Sequence, residues 1–330
     1  MGFSVSGAVL GYLGDALAGD PRRGHPVAAF GRAAGAVEGR VWRDDKAAGV
    51  LYTALCAGPV AAGAAVLGRA GLGRFRSRAY DAALTGAVTW SVLGGTSLGR
   101  EARAIGAALA AGDVDGARAR LPHLCGRDPQ ALDADGIARA VVESVAENTS
   151  DAVVGALVWG ALAGVPGMAA FRAVNTLDAM VGHRSPRYRN FGWAAARLDD
   201  VAGWPGSRLT AALAVALGDD TRAAVTAWRA DAHRHPSPNA GPVEAAFAGA
   251  LGVRLGGTLS YGGRVEHRPT LNGAGRAVAV ADIERAVRLS RRVGVAALAV
   301  AVTVRGGVRA ARAARVLRAV PGKGARHGGR

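Results

Sequence analysis

Three acidic side chains, Glu143, Glu147 and Asp151, recur at four-residue intervals just before an uncharged run. If residues 141–151 continue that run as a helix, the carboxylates fall at i, i+4 and i+8 on one face. Like charges at that spacing repel by roughly 0.2–0.5 kcal/mol per pair on an exposed helix, so the stripe asks for a cation. With Asn148 beside them they make an oxygen shell suited to Mg²⁺, which usually takes one or two carboxylates together with phosphate oxygens. A second polar stretch follows the run, with Arg172, Asn175 and Asp178, then Arg184, Arg187, Arg189, Arg197, Asp199 and Asp200. Guanidinium forks match phosphate and carboxylate oxygens, so these arginines suit the other side of an anionic ligand. The competing reading of the whole stretch is a solvated, salt-bridged helix end.

Other polar segments offer less. Gly19-Asp20-Pro21-Arg22-Arg23-Gly24-His25-Pro26 is turn-rich and reads as a helix-ending loop, in which Asp20 and His25 are the members able to touch a metal or a proton. His233 and His235 stand two apart, a poor spacing for a shared metal. Cys56 and Cys125 lack any CxxC partner, so neither a disulfide nor a zinc site is expected. The glycines of Leu255-Gly256-Gly257 and Tyr261-Gly262-Gly263 could bring backbone N–H groups to a phosphate, but such pairs are mostly turns and the segment reads as a loop.

The elements that must position these groups are apolar and rich in small residues. Half of the 330 residues are hydrophobic and the net charge is +16, carried by arginine, since lysine occurs only at Lys46 and Lys323. A basic chain prefers anionic partners, but its cations are not interleaved with stacking aromatics, so no nucleic-acid module is expected. Residues 47–68 hold no charge and are long enough to span a bilayer; residues 82–99, also uncharged, complete a predicted transmembrane hairpin. Residues 3–18 and 293–304 are shorter apolar segments, and the arginines at 305, 309, 312, 315 and 318 read as a tail facing anionic lipid. A straight span over 152–171 would put the two polar stretches on opposite membrane faces. Gly155, Gly160, Gly164 and Pro166-Gly167 instead predict a broken, re-entrant or protein-buried segment that returns both to one side. The expected fold is therefore all-α, a polytopic helical membrane protein, with residues 1–330 as one integral-membrane domain and 305–330 as a basic cytoplasmic tail open to disorder.

Taken together, the ordered motifs resemble the CobD/CbiB family of membrane-associated adenosylcobinamide-phosphate synthases. The resemblance rests on Gly19-Asp20-Pro21 with His25-Pro26-Val27, Glu143-Ser144 through Glu147-Asn148-Thr149-Ser150-Asp151, and Asn175-Thr176-Leu177-Asp178-Ala179-Met180-Val181-Gly182. It continues through Tyr188, Phe191-Gly192-Trp193, Ala196-Arg197-Leu198-Asp199-Asp200, Ser237-Pro238-Asn239-Ala240-Gly241 and Tyr261-Gly262-Gly263, covering the chain to about residue 265. Ala152, Gly155-Ala156 and Gly203-Trp204-Pro205-Gly206-Ser207-Arg208 depart from the family's pattern.

The resemblance implies amide formation between adenosylcobyric acid and (R)-1-amino-2-propanol or its O-phosphate, with ATP consumed and Mg²⁺ required. It implies a multi-pass protein of the cell's inner membrane with a cytoplasmic active site, whose partners are corrinoid and aminopropanol substrates, the bilayer and other cobalamin-pathway membrane enzymes. On this reading Glu143, Glu147 and Asp151 take the metal and nucleotide side, with Asp178, Asp199 or Asp200 as further ligands or the base. Asp20 with His25 is an alternative acid/base pair. Asn148, Arg172, Asn175, Arg184, Arg197, Ser237 and Asn239 would hold phosphate or corrinoid groups. No Walker A pattern or glycine-rich dinucleotide fingerprint is present. Two other classes compete: a membrane transporter or binding protein for a corrinoid or other anion, and a soluble Ala-rich helical protein whose apolar runs are core.

Overall fold

A computed structural model describes residues 3–20, 24–70, 77–126, 128–183, 185–261 and 264–319. Pro21, Arg22, Arg23, Arg184, the Gly262-Gly263 pair and the tail from 320 onward, Lys323 included, lie outside the described residues. The order of elements is α1 (Val5–Ala18), α2 (Pro26–Val41), α3 (Lys46–Ala70), α4 (Arg78–Val92), α5 (Gly95–Ala110), α6 (Val114–Arg120), α7 (Ala134–Thr149), α8 (Gly155–Val181), α9 (Trp193–Leu217), α10 (Thr221–Asp231), α11 (Ala240–Leu251), β1 (Leu255–Tyr261), β2 (Arg264–Leu271) and α12 (Ala281–Ala319). The all-α expectation holds apart from one antiparallel hairpin of β1 and β2, where the glycines predict a loop. Thr258, Val265 and Thr270 favour strand, but they are interleaved with glycine and charge, which hides the alternation.

The reversal that the glycines predict lies inside α8. Gly164 adopts φ 74° and ψ −160°, a backbone region open essentially to glycine alone. Pro166 follows in the first turn of the returning arm, where its missing N–H costs nothing. A Cβ on Gly155 would overlap the Phe171 ring, one on Gly160 would overlap Met168, and Asn175 donates to Asp151. These pairs all centre on residues 163 to 164, so the chain runs out, turns and comes back. The outgoing arm enters through a π-helical turn at Ser150–Val154, the kind of local widening that is frequent at functional sites.

Helix α12 braces this hairpin along its length. Thr149 and Ser290 hydroxyls meet at 2.6 Å near the base, and Arg305 donates to the carbonyl of Ala161 at 3.3 Å near the tip. Arg305 is only 6% exposed. This corrects its expected place in a tail facing anionic lipid: the cation meets the carbonyl end of the outgoing arm, where partial negative charge collects. The helix then continues to Ala319.

Among the described residues, two helices are long and apolar enough to cross a membrane, Lys46–Arg69 and Ala134–Val181. They differ in kind. The apolar window of the first is 22% buried, whereas that of the second is 61% buried and reverses at Gly164. The exposed face of α3 carries Leu51, Leu55, Val66 and Leu67. The expected single span over 82–99 is corrected: Leu93 and Gly94 end α4 and a new helix starts at Gly95, leaving α4 about 22 Å long at 1.5 Å per residue. The main core joins α1, α5, α7, α8, α9, α11 and α12. A smaller one seats Tyr52 on Phe191 with ring centroids 5.0 Å apart, beside Leu177 and Val181. Neither Cys56 nor Cys125 forms a disulfide among the described residues.

Candidate functional site

The base of the hairpin gathers acid. Glu147, Ser150 and Asp151 from the outgoing side, Asp178 from the returning arm, and Asp199 and Asp200 from the first turns of α9 line a cavity of about 70 Å³. Ser237, Asn239, Ala240 and Val243 complete its wall. Each acid reaches the cavity for a local reason. The π turn carries Asp151 to the cavity beside Glu147, the Gly164 reversal returns Asp178, and the turn ending at Gly192 starts α9 beside them.

One amide ties the acids together. Asn175 Nδ2 donates to Asp151 at 3.2 Å and lies 3.4 Å from Asp199 Oδ1, while its Oδ1 accepts from Arg172 Nη1 at 3.3 Å. Arg172 in turn feels the charges of Asp151 and Asp20, so the turn after α1 reaches the edge of the same site. Burial first, and then the charge of Asp178, raise the Asp199 carboxyl to about 7, while the Asn175 hydrogen bond opposes the rise. A cation placed among these groups would relieve that repulsion.

The remaining residues named from sequence divide by what they touch. Asn239 is fully engaged: its Nδ2 donates to the Asp200 carbonyl at 3.0 Å, and its Oδ1 accepts from Ser207 at 3.3 Å and Arg208 at 3.0 Å. It fixes α9 to the loop before α11. Ser237 Oγ accepts from the N–H groups of Asn239 and Ala240 in the turn that leads into α11. Arg197 lies outside the cavity and pairs with Asp200 at 3.2 Å. Asn148 also lies outside, donating to the carbonyl and hydroxyl of Ser144.

Glu143 departs from the expected stripe. It is 1% exposed and accepts the N–H of Gly256 at 2.7 Å, so it anchors the β hairpin rather than lining the cavity. A contact between residues so far apart in sequence leaves no trace in local spacing. His25 caps α2: its Nδ1 accepts from the Val27 N–H at 3.1 Å and its Nε2 stands 3.6 Å from Asp20. Ser150 joins the cavity wall without being a sequence candidate; its place one residue before Asp151 is the available signal.

The donor set suits a hard divalent cation taken by one or two carboxylates at a time. Five carboxylates line a space that holds a few waters at most, and among the described residues no group of three His, Cys, Asp or Glu side chains is placed to hold a metal ion together. An open carboxylate site leaves coordination positions for water and phosphate oxygens, which is how Mg²⁺ is usually held.

Known proteins share this chain. A family model described as CobD/Cbib protein matches residues 8–290. A Mycobacterium tuberculosis protein named "Cobalamin biosynthesis protein CobD" is 53% identical over 305 residues, covering 91% of this chain and 96% of that protein. Proteins of the same name from Stutzerimonas stutzeri and Sinorhizobium fredii are 44% and 38% identical over 87% and 86% of this chain and 92% and 91% of their own lengths. No solved structure matches the chain. With the match running through every element that builds the carboxylate cavity, the chain belongs to the CobD/CbiB protein family.

Proposed function

We propose that this protein acts in cobalamin biosynthesis as the amide-forming synthase that joins adenosylcobyric acid to (R)-1-amino-2-propanol, as its O-phosphate or free, at the expense of ATP. The observation that carries the reading is the cavity where Glu147, Asp151, Asp178, Asp199 and Asp200 converge beside Arg172. A carboxylate is a poor electrophile, so the corrinoid propionate first takes the γ-phosphoryl group of ATP, giving an acyl phosphate and ADP. The amine then attacks the acyl carbon, phosphate leaves, and a base takes the amine proton.

The chain's residues divide this work. Asp151 and Asp199 would hold Mg²⁺, with Asn175 keeping the pair in register and Glu147 beside them in the cavity wall. When bound, Mg²⁺ neutralises charge on the ATP phosphates during transfer. Arg172, oriented by Asn175, meets a phosphate or propionate oxygen at the cavity's edge. Asp178 lines the cavity, and its carboxylate accepts no hydrogen bond among the described residues. It is the acid left free to take the amine proton. The cavity is too small for a nucleotide, so ATP and the corrin ring lie at its mouth.

We place the protein in the cell's inner membrane as a multi-pass protein. Helix α3 crosses it, the α8 hairpin enters and returns, and the carboxylate site faces the cytoplasm, where ATP and other cobalamin-pathway enzymes meet it. Each hairpin arm, about 21 Å for residues 150–163, is shorter than the roughly 30 Å hydrocarbon layer, as a re-entrant segment requires.

The test is purified protein in detergent with adenosylcobyric acid, Mg·ATP and either amine, following product by mass. Adenosylcobinamide phosphate or adenosylcobinamide that disappears without ATP or Mg²⁺ supports the reading. Tight corrinoid binding with no product under any condition overturns it in favour of a carrier.

A further inference from the structure

A second cavity, of about 160 Å³, lies where α9 and α11 end against α12 and shares no lining residue with the carboxylate site. Its polar character is the opposite. Arg285, Arg288 and Arg292 fall at i, i+3 and i+7, one face of α12, and all three line it, with Asp219 as the one acid in the wall. That acid is already consumed: Arg285 pairs with Asp219 at 2.8 Å and with Asp282 at 2.7 Å, and also donates to the Leu251 carbonyl at 2.9 Å. Arg285 is thus a fixed edge. Arg288 and Arg292 are exposed and form no hydrogen bond or short ion pair among the described residues. The nearest further acid, Glu284, feels Arg288 but is bound to Arg103 at 2.7 Å.

We propose that this cavity binds the phosphate group of an anionic ligand, with Arg288 and Arg292 as its two donors. Two guanidinium groups with five N–H donors each, four residues apart on one helix, match a tetrahedral oxyanion better than any neutral or cationic group. The wall also holds Leu217, Leu251 and Leu289, so an apolar substituent on the phosphate is accommodated. One residue beyond Arg292 the helix turns apolar, and Val295, seven residues after Arg288 on the same face, is 58% exposed. Cations at the border of an exposed apolar helix face are placed to meet the phosphates of anionic lipid. The shared chemistry is a phosphate monoanion or dianion; a lipid head group and a free phosphate compound are its two sources.

The experiment uses the full chain in neutral detergent and reads saturable thermal stabilisation. The probes are short-chain phosphatidylglycerol, short-chain phosphatidylcholine and inorganic pyrophosphate. Stabilisation by phosphatidylglycerol but not phosphatidylcholine, weakened tenfold or more by Arg288→Gln with Arg292→Gln, supports the site and assigns it to lipid. The same dependence with pyrophosphate alone supports the site and assigns a free phosphate. Arg291→Gln is the control, because Arg291 is exposed on the same helix and does not line the cavity. Equal loss in that variant, or no saturable stabilisation by either anion, overturns the proposal. Arg292→Gln alone serves if the double variant does not fold.

Discussion

Asn175 donates its side-chain amide to Asp151 at 3.2 Å, and through that bond the two arms of the α8 hairpin are joined at their base. The same Nδ2 lies 3.4 Å from Asp199, so one side chain sets the separation of two acids from different helices. Neither carboxylate accepts another hydrogen bond among the described residues, which makes Asn175 the point of greatest leverage on the site.

Replacing Asn175 tests that leverage. Asn175→Ala should lower turnover and Mg²⁺ affinity by roughly 10- to 100-fold, the usual cost of losing a group that orients metal-binding residues. Asn175→Asp keeps the shape but puts a further carboxylate among acids, and should weaken the site more than alanine does. Activity titrated against Mg²⁺ distinguishes the two variants. Unchanged Mg²⁺ dependence in both would remove Asn175 from the site.

Asp178 and Glu143 make a contrasting pair. Asp178→Asn should reduce kcat by about 10²- to 10⁴-fold with little change in nucleotide affinity, the range expected for loss of a general base. Glu143→Gln leaves the cavity's lining intact and removes the charged acceptor of the Gly256 N–H. A hydrogen bond to a charged group contributes about 1.5–3 kcal/mol, so the loss should appear in the melting temperature rather than in KM. A variant Glu143→Gln with normal stability and no turnover would return Glu143 to the metal side.

Gly164 should resist any side chain. Its φ of 74° with ψ −160° costs other residues of order 1–3 kcal/mol, so Gly164→Ala should lower the melting temperature in detergent. The more informative readout is distance. Cysteine pairs at 151 and 175 in a cysteine-free background should crosslink efficiently while Gly164 is kept, and less so once Gly164→Ala is added. Equal crosslinking in both backgrounds would show that the reversal does not depend on this glycine.

The base of α12 supplies a pH prediction. Burial works against the Asp282 charge, yet hydrogen bonds from Arg276, the Ala279 N–H and Arg285 together outweigh it and hold the carboxyl at about 2. A carboxylate whose pKa is lower in the folded state than in the unfolded chain adds stability above the unfolded value, near 3.9, and loses it as pH falls through the folded one. Melting temperatures of the parent and Asp282→Asn should therefore differ by a constant amount above about pH 5 and converge towards pH 2. A gap that stays constant across that range would show that the pair network does not act through ionisation.

Much of the site is legible in the sequence because its chemistry is local. Glu147, Asp151, Asp178, Asp199 and Asp200 stand in polar stretches flanking an uncharged run, and the glycines within that run announce the Gly164 reversal. What escapes is set by contacts between distant segments. The Glu143 partner is an amide 113 residues away. Arg305 looks like one more tail arginine until the hairpin tip is placed beside it. The break between α4 and α5 is written in Leu93-Gly94-Gly95, but hydropathy averages over it. Asn148 and Asn175 are the same residue type in neighbouring motifs, and only packing decides that one bonds back to its own helix while the other bridges acids.

Helix α12 has a consequence for how the molecule is made. Ser290 and Arg305 reach the base and the tip of the hairpin from a helix made well after the hairpin itself. Synthesis runs from the N-terminus at about 5–20 residues per second, so the acids from Glu147 to Asp200 emerge several seconds before their brace does. During that interval the mutually repelling carboxylates stand on a hairpin that lacks its brace. Fragments released before α12 is made carry the acids but not the helix that braces the hairpin.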